Sequence, residues 1–140
     1  MSSAEVSTLA AAGTPRAFKV WRQGAMAVTA WVAVALLISY WPNATRVWPM
    51  TQGLANLCMA MAVLIGLLGL VGRWSAQVAT RIRAAGAWLI ALPLLLAVWE
   101  LLTAKLGLLP VPFFAPPQAL LAVYVEDWPR LVESLLHSAL

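Results

Sequence analysis

From Leu54 to Val71 the chain runs for 18 residues, LANLCMAMAVLIGLLGLV, without a charge. A helix built from this segment has no polar face to turn toward water, and its length suits the hydrocarbon core of a bilayer. Two further segments behave alike. Ala25 to Trp41 supplies 17 uncharged residues, about 25 Å at helical rise. Ala84 to about Leu102 supplies a third block, interrupted by Pro93 and, near its far end, by Glu100. Proline at mid-helix removes one backbone hydrogen bond, so the third helix is expected to kink, which membrane bundles tolerate because neighbours satisfy the freed carbonyl. The expected fold is an all-α integral membrane protein with three transmembrane helices.

Composition argues against the soluble alternatives. Of the 140 residues 63% are apolar and 10% are charged, against roughly half and a quarter in soluble domains. The formal charge of +4 does not point to nucleic acid, because the nine Lys and Arg residues stand at the edges of apolar blocks and form no basic run. They read as topology determinants instead. Three (Arg16, Lys19, Arg22) precede the first block, one (Arg46) lies in the first loop, three (Arg73, Arg81, Arg83) lie in the second, and Lys105 stands alone after the third block. The positive-inside bias then places the N-terminus in the cytoplasm and Lys105 on the outer side.

Residues 1–24, with their small residues, Pro15 and basic end, read as a cytoplasmic tail. A cleaved signal peptide is the rival for the first block, but Tyr40, Trp41, Pro42 and Asn43 offer no small-x-small cleavage pattern, which favours an uncleaved anchor. Trp41 and Trp48, with Pro42 and Pro49, suit a short loop at headgroup level. In the second block Ala62 and Gly66 form a small-xxx-small pair, and Gly66, Gly69 and Gly72 recur every three residues. That spacing leaves a flat face for another helix, with ordinary bundle packing preferred over a specific dimer motif.

The last third differs in kind. Residues 107–117, GLLPVPFFAPP, hold four prolines in eleven positions. They are expected to form an extended, partly interfacial outer segment with Phe113 and Phe114 against lipid or protein. One or two short amphipathic helices should follow. Pro117 suits the first turn of one that runs through Ala119, Leu120, Leu121 and Tyr124. Asp127 suits the N-cap of another, with Trp128 and Pro129 in its first turn and Leu131, Leu135 and Leu136 along one side.

Groups able to do chemistry are few. Glu100 could serve a transport path or proton relay, but its place in the last turns beside Trp99 favours an anchor at the membrane edge, reaching the outer interface or pairing with Lys105. His137 has Glu133 and Ser134 within helical reach, yet one helical face rarely supplies the converging geometry of a catalytic triad. Cys58, the one cysteine, reads as a small packing residue and permits no intrachain disulfide or multi-Cys metal site. Asn43-Ala44-Thr45 matches a glycosylation sequon, meaningful only in a eukaryotic secretory pathway. No enzyme activity, cofactor, catalytic residue or metal ligand is expected.

Residues 92–140 order several features in a distinctive way. An apolar helix ends in Val98-Trp99-Glu100-Leu101-Leu102. Gly107-Leu108-Leu109-Pro110 and Ala115-Pro116-Pro117 then lead into an amphipathic helix, and the stretch closes on Leu135-Leu136-His137-Ser138-Ala139-Leu140. This order resembles the N-terminal part of the permease subunit of ABC importers for nitrate, sulfonate, taurine and bicarbonate. The resemblance implies an ABC-type ATPase, an outer-side substrate-binding protein and a second permease copy as partners, and a bacterial inner membrane as the location. Residues 25–72 are then a transmembrane hairpin added to the family pattern, and residues 84–140 are the start of the permease-like domain. The later helices and the cytoplasmic loop with a Glu-Ala-Ala-like signature lie beyond this sequence, so a fragment, truncated product or split subunit is expected, with substrate contacts mainly in the missing helices. The competing expectation is a small three-helix membrane scaffold that docks a larger complex through its outer segment and amphipathic helices.

Overall fold

The computed structural model describes residues 21–44, 46–109 and 113–139. The expected tail before Trp21 with Arg16 and Lys19, Thr45 of the sequon, Pro110 to Pro112 of the proline-rich segment, and Leu140 lie outside the described residues. Every regular element among the described residues is helical: α1 (Arg22–Tyr40), α2 (Thr51–Val71), α3 (Ala76–Ala84), α4 (Gly86–Glu100, continued by a π turn at Leu101–Lys105), α5 (Pro117–Glu126) and α6 (Trp128–Ala139). Three helical stretches, Arg22–Tyr40, Thr51–Val71 and Gly86–Lys105, are long and apolar enough to cross a membrane.

Local chemistry sets the boundaries. α1 stops at Tyr40 because Trp41 precedes Pro42 and is driven into an extended conformation (φ −82°, ψ 122°). α2 begins three residues before its apolar block: Thr51 Oγ1 donates to the Trp48 carbonyl (2.9 Å) and Leu54 N–H donates to that of Met50 (2.8 Å). Met50 holds this entry with a left-handed φ of 62°, which costs a residue with a Cβ about 1–2 kcal/mol. Between α2 and α4, what reads in sequence as a short polar connection is instead the nine-residue helix α3. Ser75 Oγ caps it by accepting from Val78 N–H (3.5 Å), and Arg81 and Arg83 occupy its last turn, where cations favour the helix dipole.

α1 packs chiefly against α2 and α4. Its buried stripe is Ala27, Trp31, Val34, Ala35 and Ile38. That of α2 is Leu54, Ala55, Cys58, Ala62 and Ile65. Both stripes repeat at three and four residues, one face of a helix each, and their many small members let the backbones approach closely. Cys58 accordingly packs in this interface. The small-residue face is shorter than the sequence suggests. Ala62 is buried in the interface, but a Cβ added at Gly66 would meet nothing within 4 Å, while Gly69 faces Trp21 and Gly72 faces α3.

Pro93 is buried inside α4, and the helix continues through it. Having no N–H, proline leaves the carbonyl four residues earlier, that of Leu89, without its helical donor. Trp31 Nε1 of α1 donates to that carbonyl at 3.1 Å. The irregularity in one helix is thereby satisfied by a neighbour, as apolar surroundings require.

In each of the three long helices only a minor share of the apolar 18-residue stretch, between 22 and 33%, is buried. The remainder carries large exposed apolar side chains, among them Leu57, Val63, Leu67, Leu94, Leu95 and Val98. Surface of this kind calls for lipid or further helices around it.

Candidate functional site

Where α4 ends, a polar cluster sits wholly inside the protein. Glu100 closes the α-helical part of α4, and Lys105 closes the π turn that follows. Residues five apart on an α-helix point about 140° away from one another. Here the chain widens by one residue, shown by the Leu106 N–H bond to the Leu101 carbonyl (2.8 Å), and the two side chains meet. Lys105 Nζ lies 3.7 Å from Glu100 Oε1, with both side chains fully buried. Thr103 Oγ1 bonds back to the Trp99 carbonyl (2.7 Å) within the same turn.

Lys105 does more than face Glu100. Its ammonium donates to the Ile38 carbonyl (3.0 Å), to the Trp41 carbonyl (2.5 Å) and to Asn43 Oδ1 (2.9 Å). It thus supplies a cation and donors to the C-terminal end of α1, where helical carbonyls lack partners. The loop after α1 is fixed to the same turn by Ala44 N–H donating to the Ala104 carbonyl (2.9 Å). From the other side, Gln118 in the first turn of α5 donates from Nε2 to Glu100 Oε1 (3.2 Å), and Trp99 Nε1 donates to the Ala115 carbonyl (3.1 Å). Three segments distant in sequence, the end of α1, the end of α4 and the start of α5, are bound through these side chains. Glu100 Oε2 and Gln118 Oε1 are buried without a hydrogen-bond partner.

This geometry corrects two expectations. Glu100 does not reach out to an interface: it is fully buried among protein groups, and of the two roles expected for it the pairing with Lys105 is the one that forms. Lys105 does not stand alone beyond the third helix but is buried within its last turn. Trp48 is buried as well, with the Arg46 guanidinium stacked 3.8 Å from its ring centroid. The signal that would have found the cluster is the run of three polar residues, Glu100, Thr103 and Lys105, within one apolar helix end. Sequence alone does not reveal the π turn that aligns them.

Elsewhere the expected placements are mixed. α5 begins at Pro117 as expected, and α6 follows Asp127, whose carbonyl accepts from Leu131 N–H (3.0 Å). Between Gly107 and Pro116 the described residues form no helix, and Phe113 is 82% exposed. Glu133, Ser134 and His137 are all exposed on α6, and the Ser134 carbonyl accepts from Ser138 Oγ (2.9 Å). Asn43 of the sequon spends its amide oxygen on Lys105. Among the described residues no group of three or more His, Cys, Asp or Glu is gathered to hold a metal ion. The cluster's chemistry is that of a clamp, with one cation, one carboxyl and two amides holding backbone ends together.

No protein-family model, no curated protein and no solved structure matches this chain.

Proposed function

We propose that this chain is a membrane-spanning permease component of an ATP-driven importer for a small anion such as nitrate, a sulfonate or taurine. One observation carries the reading. Trp99-Glu100 and Ala115-Pro116-Pro117, two of the features whose order carries the resemblance, are joined into one corner by the Trp99–Ala115 hydrogen bond and by that of Glu100 with Gln118, the next residue. Their fixed order in the chain thus has a physical basis: the spanning helix, the proline-rich turn and the helix after it form one unit. In this reading α1 and α2 are a hairpin added before the permease-like domain, and the largely uncovered faces of the long helices accept lipid and the remaining helices of the transport core. The N-terminus lies in the cytoplasm of a bacterial cell and the polar corner near the outer face of the inner membrane, in line with the arginines at the opposite end. The chain itself performs no catalysis; its partners are an ABC-type ATPase, an outer-side substrate-binding protein and a second permease copy.

Affinity purification of the chain from its own membranes in mild detergent tests this. The expected result is co-purification of an ABC-type ATPase. Recovery of a complex with no transport ATPase would replace the importer with the scaffold reading, in which the proline-rich outer segment and its amphipathic helices are the docking element.

A further inference from the structure

At the end of the bundle opposite the polar corner, an apolar groove of about 240 Å³ opens between helices. Trp21, Ile65, Leu68, Ile82, Ala85 and Leu89 line it, and Arg81 stands at its edge. The exposed Arg22 follows Trp21 directly, and the exposed Arg83 lies two residues beyond Arg81. The acidic groups among the described residues, Glu100, Glu126, Asp127 and Glu133, all belong to the far end of α4 or to α5 and α6.

We infer that this groove binds one anionic phospholipid, its acyl chain against Leu68, Ile82 and Leu89 and its phosphate at Arg81. The match is one of charge and polarity together. An apolar trough with Arg81 among its lining residues, and with the acidic groups of the described residues at the other end of the bundle, is complementary to a molecule that is greasy along its length and negative at one end. A zwitterionic lipid fills the trough equally well but gains less from Arg81, so the site discriminates by headgroup charge. This inference needs only the membrane location and stands or falls apart from the importer reading.

Native mass spectrometry of the full chain in detergent, titrated with dioleoyl-phosphatidylglycerol or dioleoyl-phosphatidylcholine, tests it. The anionic phosphatidylglycerol should be retained about fivefold more tightly or better, the effect of one arginine near an anionic headgroup. Arg81→Gln should abolish the preference, and Arg130→Gln on α6 should leave it intact. Arg81 is exposed, so the change leaves the packed core untouched. Equal retention of both lipids, or a preference that survives Arg81→Gln, overturns the inference. A photoreactive benzophenone side chain at Leu68 supplies a second reading in native membranes: a phospholipid adduct supports the site, whereas cross-linking to residues 1–20 or to a second copy overturns it.

Discussion

The two ends of the bundle treat charge in opposite ways. At the α2–α3–α4 end Arg22, Arg81 and Arg83 stand exposed on the surface around an apolar groove. At the other end Glu100 and Lys105 are taken inside and spent on backbone carbonyls and amides of three segments. Exposed charge fixes how a chain sits relative to its surroundings and contributes little to its fold. Buried charge does the reverse: it is costly to bring in, and once in place it makes the arrangement around it hard to alter.

The largest expected effect breaks the buried end. Lys105→Met strands Glu100 without its cation and leaves the Ile38, Trp41 and Asn43 acceptors unmet, a loss of about 3–5 kcal/mol. Reversible unfolding in mixed detergent micelles measures it. The double variant Glu100→Leu/Lys105→Met should cost clearly less than Lys105→Met alone, since it removes the orphaned charge. Arg81→Gln at the exposed end should fall within about 0.5 kcal/mol of the parent. A Lys105→Met variant as mild as Arg81→Gln would erase the contrast between the ends.

A smaller effect is expected midway between the ends. Trp31→Phe removes the donor to the Leu89 carbonyl and should cost about 1–3 kcal/mol in the same unfolding assay. Pro93→Ala restores a helical N–H to that carbonyl. In the Pro93→Ala background, Trp31→Phe should therefore cost less than in the parent, and additivity of the two changes would refute the proposed compensation.

The smallest effect sharpens the packing account. Ala62→Leu pushes extra volume into the α1–α2 interface and should destabilise by about 1–2 kcal/mol. Gly66→Leu, one turn further along α2, enters open space and should be close to neutral, so equal penalties would mean that Gly66 also packs.

How much of this was legible in the sequence follows the same division. The three long helices came from uncharged length, and each boundary moved by only a few residues, at Arg22 and Thr51 because polar residues still take helical conformation when a donor or turn supports them. The helix α3 was hidden because arginines and polar residues dominate it and nothing of it is buried. Its cap, Ser75, is the one mark it leaves in the sequence. Pairing of Glu100 with Lys105 was legible only as one option, since spacing of five opposes it on a regular helix and the π turn that reverses this has no sequence signature here. Gln118 and Asn43 were invisible as partners because they come from segments 18 and 62 residues away from Glu100 and Lys105, respectively.

The central claim is that the ends lie on opposite sides of a membrane. It is tested most directly by labelling intact cells with a membrane-impermeant maleimide, using single cysteines introduced into a Cys58→Ala background. Trp74 and Leu108 are suitable positions, 77 and 66% exposed at the two ends. Leu108→Cys should label from outside, and Trp74→Cys only after the membrane is permeabilised. Labelling of both positions from the same side would contradict the account.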